Sequence, residues 1–146
     1  MTMTDQSAPV LQWPSAKLMG ATFVSMDEDT KTVEMAFTPP ESFANMRGCV
    51  QGGLIAGFMD EAMGAAVYLG TGGKLQLSLD INLSLLRPVA MKPLTVKARP
   101  VKAGRRISFV EAEMFDNDGK LCARATATAM ATEWPSASVP KNTGAA

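Results

Sequence analysis

The chain offers carboxylates, lysines and two thiols for chemistry, but it contains no histidine. Its 146 residues include 14 Lys and Arg, 14 Asp and Glu, and 2 Cys. Without histidine, neither a Ser-His-Asp triad nor a Cys-His pair can form within the chain. A His-ligated zinc site is excluded as well, and two thiols alone do not complete a tetrahedral site. A general base must therefore be a carboxylate, a lysine, a tyrosine, a cysteine or a bound water.

A glycine pair, Gly52-Gly53, stands where a long helical pattern begins. The first turn of a helix has unpaired backbone N–H groups and the positive end of the helix dipole. Glycines at this position let a ligand oxygen approach the backbone, which is one way to build an oxyanion site. The alternative is that the two glycines only permit a tight turn into the helix.

Asp60 follows about two turns later and shares a helix face with Ala56, Gly57 and Gly64. An acid on an apolar helix is unusual, because burying an unpaired charge costs free energy. We interpret Asp60 as a candidate catalytic base. The alternatives are a surface acid and a structural partner of a lysine, but the small residues around it argue against an ordinary solvated face. Glu61 points about 100° away, toward solvent or substrate.

A strand is predicted over residues 75–85, where odd positions are apolar and even positions are polar. This alternation places Ser78, Asp80 and Asn82 on one face. That face is either the solvated side of a sheet, or it brings Ser78 to an active site across a subunit boundary.

Positive charge is concentrated between Ile81 and Val110, where seven basic residues occur and no acid. A solvated sheet face would carry mixed charges, so the stretch favours a site for a multiply charged anion. The turn Gly104-Arg105-Arg106 would present two guanidinium groups to phosphate.

The periodicity predicts one long helix between two groups of strands. The helix is predicted over 53–69, and the strands over 22–26, 32–38, 75–85, 94–102, 106–115 and 121–133. Six antiparallel strands with one buried helix make an α+β domain. Because both faces of the helix look packed, we expect the sheet on one side and a second subunit on the other.

The chain is predicted to be one domain over residues 13–133, with a flexible N-terminus at 1–12 and a flexible C-terminal tail at 134–146. Zero net charge argues against nucleic acid as a partner. We find no signal peptide and no membrane span, and the two distant cysteines fit a reducing cytoplasm.

Several short motifs together resemble the hotdog-fold acyl-CoA thioesterases. The similar branch is the phenylacetate-degradation type of the 4-hydroxybenzoyl-CoA thioesterase superfamily, and the resemblance covers about residues 15–132. The motifs are Asn45, Gly48, Gln51-Gly52-Gly53, Asp60-Glu61-Ala62-Met63-Gly64, Ser78-Leu79-Asp80-Ile81-Asn82, Arg87-Pro88, Gly104-Arg105, and Asp118-Gly119-Lys120 with Ala123. The resemblance implies a hotdog fold, in which an antiparallel sheet wraps around a central helix.

The resemblance also implies site roles. Asp60 would attack the thioester or activate a water, and the Gly52 amide would polarise the carbonyl. Asn45 would help hold the water or the carboxylate, and Ser78 would reach the same water from the neighbouring subunit. Gln51 stands where the family usually has histidine, and glutamine cannot protonate a leaving thiolate. Substrate binding is assigned to Gly53, Glu61, Arg105 and Arg106.

The resulting hypothesis is a cytoplasmic homodimer or homotetramer that hydrolyses an acyl-CoA thioester at its subunit interfaces. Asp60 is its base or nucleophile, and the Gly52 amide is its oxyanion donor. No metal and no organic cofactor are expected. The alternatives are a non-hydrolysing acyl-CoA-binding protein of the same fold, and a structural oligomer in which the Asp60 stripe is only an interface.

Overall fold

The computed structural model describes residues 8–132. Two short helical segments, a 3-10 helix at Pro9–Gln12 and α1 at Pro14–Leu18, precede the sheet, and another 3-10 helix lies at Glu41–Phe43. The long helix α2 spans Gly52–Gly70. The strands are β1 Thr22–Asp27, β2 Thr32–Phe37, β3 Gln76–Leu85, β4 Leu94–Ala103, β5 Ile107–Phe115 and β6 Leu121–Ala131.

The six strands form one antiparallel sheet in the order β1-β2-β4-β5-β6-β3. Strands β1 and β3 are therefore the two edges. Helix α2 packs on one face of the sheet and contacts every strand from β2 to β6. This confirms the predicted α+β arrangement of six antiparallel strands around one long helix, and the predicted bounds lie within a few residues of those observed.

Helix α2 is held by an apolar stripe that faces the sheet. Phe58, Met59, Ala62, Met63 and Ala66 are all buried, as the sequence pattern predicts. Burying a large apolar side chain such as a phenylalanine or methionine stabilises the fold by about 1.5–3 kcal/mol. On β5 and β6 the buried sheet residues include several small ones; they are Ala112, Ala123, Ala125, Ala127 and Ala129.

The chain's own N-terminal segment covers part of the other face of α2. The Trp13 ring meets the Tyr68 ring edge-on, with 5.8 Å between centroids. A Cβ on Gly57 would lie 3.1 Å from Cε of Met19, so the missing side chain at Gly57 makes room for this segment. Along this part of the helix, the close neighbour that the sequence assigned to a second subunit belongs to the same chain.

The packed part of the chain begins further toward the N-terminus than the predicted boundary at residue 13. Ala8, Val10 and Leu11 are buried in the core. The rest of the predicted flexible N-terminus, residues 1–7, and the predicted tail, residues 134–146, lie outside the described residues.

A β-bulge at Leu79 shifts the phase of edge strand β3. Ser78 pairs with Ala129 and Asp80 pairs with the preceding residue of β6, so Leu79 is an inserted residue. Ala129 is buried under the helix, and Ser78 therefore faces α2, whereas Asp80 and Asn82 point to the outer face. The prediction that these three polar residues share one face is wrong. The inserted residue is itself apolar, so the alternating sequence gives no sign of it.

Gly20 joins α1 to β1 with a positive φ of 60°, and a Cβ on it would lie 2.8 Å from the Thr38 carbonyl oxygen. We expect Gly20→Ala to lower the free energy of unfolding by about 2–3 kcal/mol, because left-handed strain and a backbone clash add together. The matched control is Gly119→Ala, with φ of 77° and no atom within 4 Å of the added Cβ. It should lose only about 1 kcal/mol. Urea unfolding measures both, and equal losses would contradict the proposed clash.

Candidate active site

Asp60 and Ser78 meet in a cleft beside α2. The Ser78 hydroxyl donates a hydrogen bond to Oδ1 of Asp60 at 2.7 Å. The contact is within one chain, which corrects the expectation that Ser78 arrives from a neighbouring subunit, and the bulge at Leu79 is the reason. The cleft has a volume of about 260 Å³ and is lined by Trp13, Asp60, Glu61, Gly64, Tyr68, Lys74, Leu75, Gln76 and Ser78.

Gln51 caps the N-terminus of α2. Its backbone is extended, and its Oε1 accepts a hydrogen bond from the Leu54 amide at 3.0 Å. The Gln51 carbonyl accepts from Leu54 and Ile55. Of the four amides in the first turn, those of Gly52 and Gly53 have no acceptor among residues 8–132. These two amides are the donors that an oxyanion could use.

Gly53 makes room for this cap. A Cβ at this position would lie 3.0 Å from Oε1 of Gln51, so a side chain would press on the capping oxygen. A Cβ on Gly52 would lie 3.1 Å from Cδ1 of Leu85, at the end of β3. The glycine pair thus permits the tight turn into the helix and also leaves two amides accessible. The two interpretations, a tight turn and an oxyanion site, are therefore compatible.

Asn45 organises the loop that leads into α2. Its Oδ1 accepts hydrogen bonds from the amides of Arg47 and Cys49 at 2.9 and 3.2 Å. Its backbone carbonyl accepts from Gly48. Asn45 therefore uses its side-chain oxygen on its own loop, and its Nδ2 is the part of the side chain that a substrate or water would meet.

Glu61 lines the same cleft as Asp60 and is half-buried. Its Oε1 is buried and has no hydrogen-bond partner among the described residues. Burial raises the pKa of the Glu61 carboxyl, and the nearby charge of Asp60 raises it further, while a contact from the Ser15 hydroxyl opposes the shift. Glu61 is thus drawn into the site rather than solvated, because its helix face lies under the N-terminal segment.

Arg105 and Arg106 are exposed in the turn between β4 and β5. The Arg106 carbonyl accepts from the amide of Ala131, and Ala131 pairs with Gln76. The two arginines therefore lie at the same end of the sheet as the cleft, two strands away from it, but they do not line it. The structure does not bring them into contact with Asp60.

The basic stretch is divided by tertiary ion pairs. Arg99 contacts Glu111 at 2.7 Å, and Lys97 contacts Glu34 at 3.6 Å. In the described part of the chain, neither Arg105 nor Arg106 makes an ion pair. Both acids lie outside the basic stretch: Glu34 is in β2, and Glu111 in β5 directly follows the stretch. The charge pattern of the stretch itself therefore does not predict these ion pairs. Five basic residues of the stretch therefore make no ion pair in the described part of the chain, and two of them, Arg105 and Arg106, stand in the turn.

A larger groove of about 670 Å³ lies on the outer face of the sheet and includes none of the predicted site residues. Its charged side chains neutralise one another; Arg99 pairs with Glu111, and Arg124 with Glu113 at 3.5 Å. We take the smaller cleft as the site because it contains the two acids of α2.

Six cleft residues are not among the predicted site residues: Trp13, Gly64, Tyr68, Lys74, Leu75 and Gln76. Gln76 Nε2 donates to Oγ of buried Ser108 at 2.9 Å, which fixes the floor of the cleft at the start of β3. Trp13 and Tyr68 meet across 55 positions of sequence, and no local pattern marks them as neighbours. Such a pairing can be read only from the folded chain.

Residues 8–132 contain neither a candidate metal site nor a candidate membrane-spanning helix. No group of three or more Cys, Asp or Glu side chains is arranged to hold a metal ion. Within the same residues, no helix is both long enough and apolar enough to cross a membrane. Cys49 and Cys122 are both free thiols.

Comparison with known proteins points to one superfamily. Residues 48–123, just over half of the chain, match the sequence model of the thioesterase superfamily. A phenylacetic acid degradation-related protein from Ralstonia eutropha JMP134 is 33% identical, with a TM-score of 0.74, over 79% of this chain and 87% of that one. A protein of Saccharolobus solfataricus named "Putative esterase SSO2140" is 26% identical over 75% of this chain and 76% of its own.

A hypothetical thioesterase protein from Streptococcus pneumoniae TIGR4, solved with coenzyme A, shares the fold. Its TM-score is 0.70 at 21% identity, over 80% of this chain and 88% of that one.

The raised pKa of Glu61 makes a prediction about stability. Its ordinary value is 4.5, and the folded state binds the proton more tightly than the unfolded state. The free energy of unfolding therefore falls as pH rises from below 4.5 through the folded pKa. Glu61→Gln removes this titration, so the variant should gain stability relative to wild type as pH rises across that window. Urea unfolding at a series of pH values tests this, and a difference that does not change with pH would contradict it.

Proposed function

Because the chain belongs to the thioesterase superfamily, we propose that it hydrolyses an acyl-CoA thioester to a free acid and CoA. Membership of the superfamily supports thioester hydrolysis in general. That the thiol of the substrate is CoA is a more specific part of the proposal. The coenzyme A in the Streptococcus pneumoniae structure supports it, as do the unpaired Arg105 and Arg106, which would meet phosphates. The proposed reaction uses no metal and no organic cofactor. Two free thiols agree with a cytoplasmic setting.

The hydrogen bond from Ser78 to Asp60 is the observation that carries the proposal. It holds Oδ1 of Asp60 and orients Oδ2 as the oxygen that acts on the substrate. As a general base, Oδ2 takes a proton from the water that attacks the carbonyl carbon. As a nucleophile, Oδ2 attacks that carbon itself and forms an anhydride, which water then cleaves. Both routes need an oxyanion donor on the other side of the thioester.

One chain cannot provide both the donor and the acid to the same thioester. Gly52 and Asp60 are eight residues apart on one helix, which is about 12 Å along its axis. A nucleophile and an oxyanion donor must each lie about 3 Å from the reacting group. We therefore propose that a second copy brings the N-terminus of its α2 to Asp60.

Edge strand β3 provides a symmetric way to build this arrangement. Gly52 lies against Leu85 at one end of β3, and Asp60 lies against Ser78 near the other end. Antiparallel pairing of two β3 edges about a two-fold axis would place the Leu85 end of one copy beside the Ser78 end of the other. Gly52 of one copy would then face Asp60 of its partner, twice per dimer.

Exposed leucines support such an interface. Five leucines on or beside β3 keep between 42% and 52% of their surface exposed: Leu75, Leu77, Leu79, Leu85 and Leu86. Exposed large apolar side chains along an unpaired sheet edge favour an interaction site there. We propose a homodimer, or a homotetramer made of two such dimers, with the active sites at the subunit interface.

The remaining predicted residues have supporting roles in this proposal. The Gly52 amide binds the oxyanion, and the adjacent Gly53 amide is its second donor. Gln51 keeps the first turn of α2 in place through its capping hydrogen bond. Asn45 offers its Nδ2 to the attacking water, while its Oδ1 holds the loop.

A non-hydrolysing acyl-CoA-binding protein is the second candidate. It is favoured by the commitment of Gln51 to the helix cap, because a capping amide neither protonates the leaving thiolate nor activates water. In this case the cleft would bind the thioester without cleaving it.

Asp60→Asn should lower the hydrolysis rate by about 10²–10⁴-fold, because an amide is neither a base nor a nucleophile. The measurement is thiol release from acetyl-, hexanoyl-, benzoyl- and phenylacetyl-CoA. Asp29→Asn is the matched control, since Asp29 is exposed in the turn between β1 and β2, at the edge of the sheet opposite β3, and should leave the rate unchanged. Binding of these compounds without turnover by wild type would support the second candidate and contradict hydrolysis.

Complementation tests the shared site. Gly52→Pro removes the proposed donor, because proline has no backbone N–H. Proline is favoured at the first position of a helix, and Gln51 already has the extended backbone that the residue before a proline requires. Gly52→Pro alone should lose about 10²–10³-fold in rate. When it is co-refolded one to one with Asp60→Asn, half the dimers are mixed and each mixed dimer has one intact site, so roughly a quarter of wild-type activity should return. A mixture that stays inactive would contradict a site shared between copies.

A further inference from the structure

Expulsion of CoA leaves a thiolate that must take up a proton. An ordinary thiol has a pKa of about 8.5, so a donor near the sulfur speeds its departure at neutral pH. This chain has no histidine to act as that donor. Gln51, at the start of α2, is occupied with the helix cap. Another group in the cleft must supply the proton.

Glu61 is the second carboxyl group of the cleft that contains Asp60. It follows Asp60 directly on the rigid helix α2 and lines the same cleft. Its Oε1 is buried with no hydrogen-bond partner in the described part of the chain. A buried carboxylate with an unpaired oxygen is unfavourable, whereas a neutral carboxyl in the same place is tolerated. The position therefore favours a carboxyl that holds its proton.

We propose that Glu61 is the catalytic acid of this site, which donates its proton to the departing sulfur while Asp60 acts on the carbonyl carbon. This assignment rests on the proposed thioester hydrolysis. It gives two neighbouring carboxyl groups different roles: Asp60, held by Ser78, acts on the carbonyl carbon, and Glu61, under the N-terminal segment, donates a proton.

The surroundings of Glu61 agree with this role. Burial raises its pKa, the charge of Asp60 adds to the shift, and the Ser15 hydroxyl opposes it. The other titratable groups that line the cleft are Tyr68 and Lys74. Phenol and ammonium groups are in general weaker acids than a thiol, so proton transfer from them to a thiolate is uphill. A carboxyl transfers its proton downhill.

The proton and electron balance closes on both routes to hydrolysis. When Asp60 is a base, it takes a proton from the attacking water, the C–S bond breaks with its electron pair on sulfur, and Glu61 gives sulfur its proton. Asp60 then returns the water's proton to Glu61. When Asp60 is a nucleophile, Glu61 protonates the departing sulfur, and its carboxylate then accepts a proton from the water that cleaves the anhydride.

Leaving-group dependence tests the assignment. The probes are the acyl-CoA that wild type cleaves fastest among the acetyl, hexanoyl, benzoyl and phenylacetyl compounds, and the 4-nitrothiophenyl ester of the same acid. The nitrothiophenolate departs without a proton, so it does not need a catalytic acid. Glu61→Gln should lower the rate on the CoA thioester by about 10²–10³-fold and on the aryl thioester by less than about 5-fold. Asp60→Asn should lower both.

The pH profile gives a second readout. Wild-type rates on the CoA thioester should fall as pH rises through the pKa of Glu61, and Glu61→Gln should lack this fall. Ser15→Ala should move the fall to higher pH, because the serine hydroxyl lowers that pKa. Glu28→Gln, at an exposed glutamate beyond β1, is the control for the substitution itself, and urea unfolding confirms that each variant is folded.

Three outcomes decide between the proposals. Loss confined to the CoA thioester, with the altered pH profile, supports Glu61 as the acid. Equal losses on both thioesters, or an unchanged pH profile in Glu61→Gln, would overturn the role of Glu61 and leave the hydrolysis intact. No turnover of either probe by wild type would overturn the proposed hydrolysis, and the assignment of Glu61 with it.

Discussion

Helix α2 is packed on two sides, and this constraint governs the rest of the molecule. One face lies on the apolar inner side of the sheet, which includes a row of alanines on β6, and the other lies partly under residues 8–20. Between these layers only small or apolar side chains fit without cost. Asp60 and Glu61 are the only charged residues of α2, and both lie where the layers leave a cleft. The packing of α2 thus determines where Asp60 and Glu61 can lie and what surrounds each of them.

The bulge in β3 connects this packing to the candidate chemistry. One inserted residue, Leu79, turns Ser78 toward the helix and leaves Asp80 outside. Without it, strict alternation would put both on the same face, and Asp60 would lose its hydrogen-bond partner. Because β3 is also a sheet edge, the residue that orients the acid lies beside the surface proposed to meet a second copy. Catalytic geometry and assembly therefore depend on the same strand.

Because the chain has no histidine, the proposed catalytic roles are divided among several backbone and side-chain groups. Backbone amides at Gly52 and Gly53 replace a side-chain electrophile, and they are available because the Gln51 side chain caps the amide of Leu54 instead. Both adjacent carboxyl groups accept from a hydroxyl, Asp60 from Ser78 and Glu61 from Ser15, but only Glu61 has a buried oxygen with no partner among the described residues. Such division of roles by environment is a general way to obtain an acid and a base from like groups.

The order of elements, the buried stripe of α2 and the candidate acid Asp60 could all be predicted from the sequence. These features are encoded locally, in apolar periodicity, in turn residues such as Asp116–Gly119, and in an acid among small residues. The direction of Ser78, the burial of Glu61 and the pairing of Lys97 and Arg99 with acids could not, because each depends on a long-range contact or on an inserted residue that leaves the pattern unchanged. Local patterns determine which elements form, and only their packing decides which side chains meet.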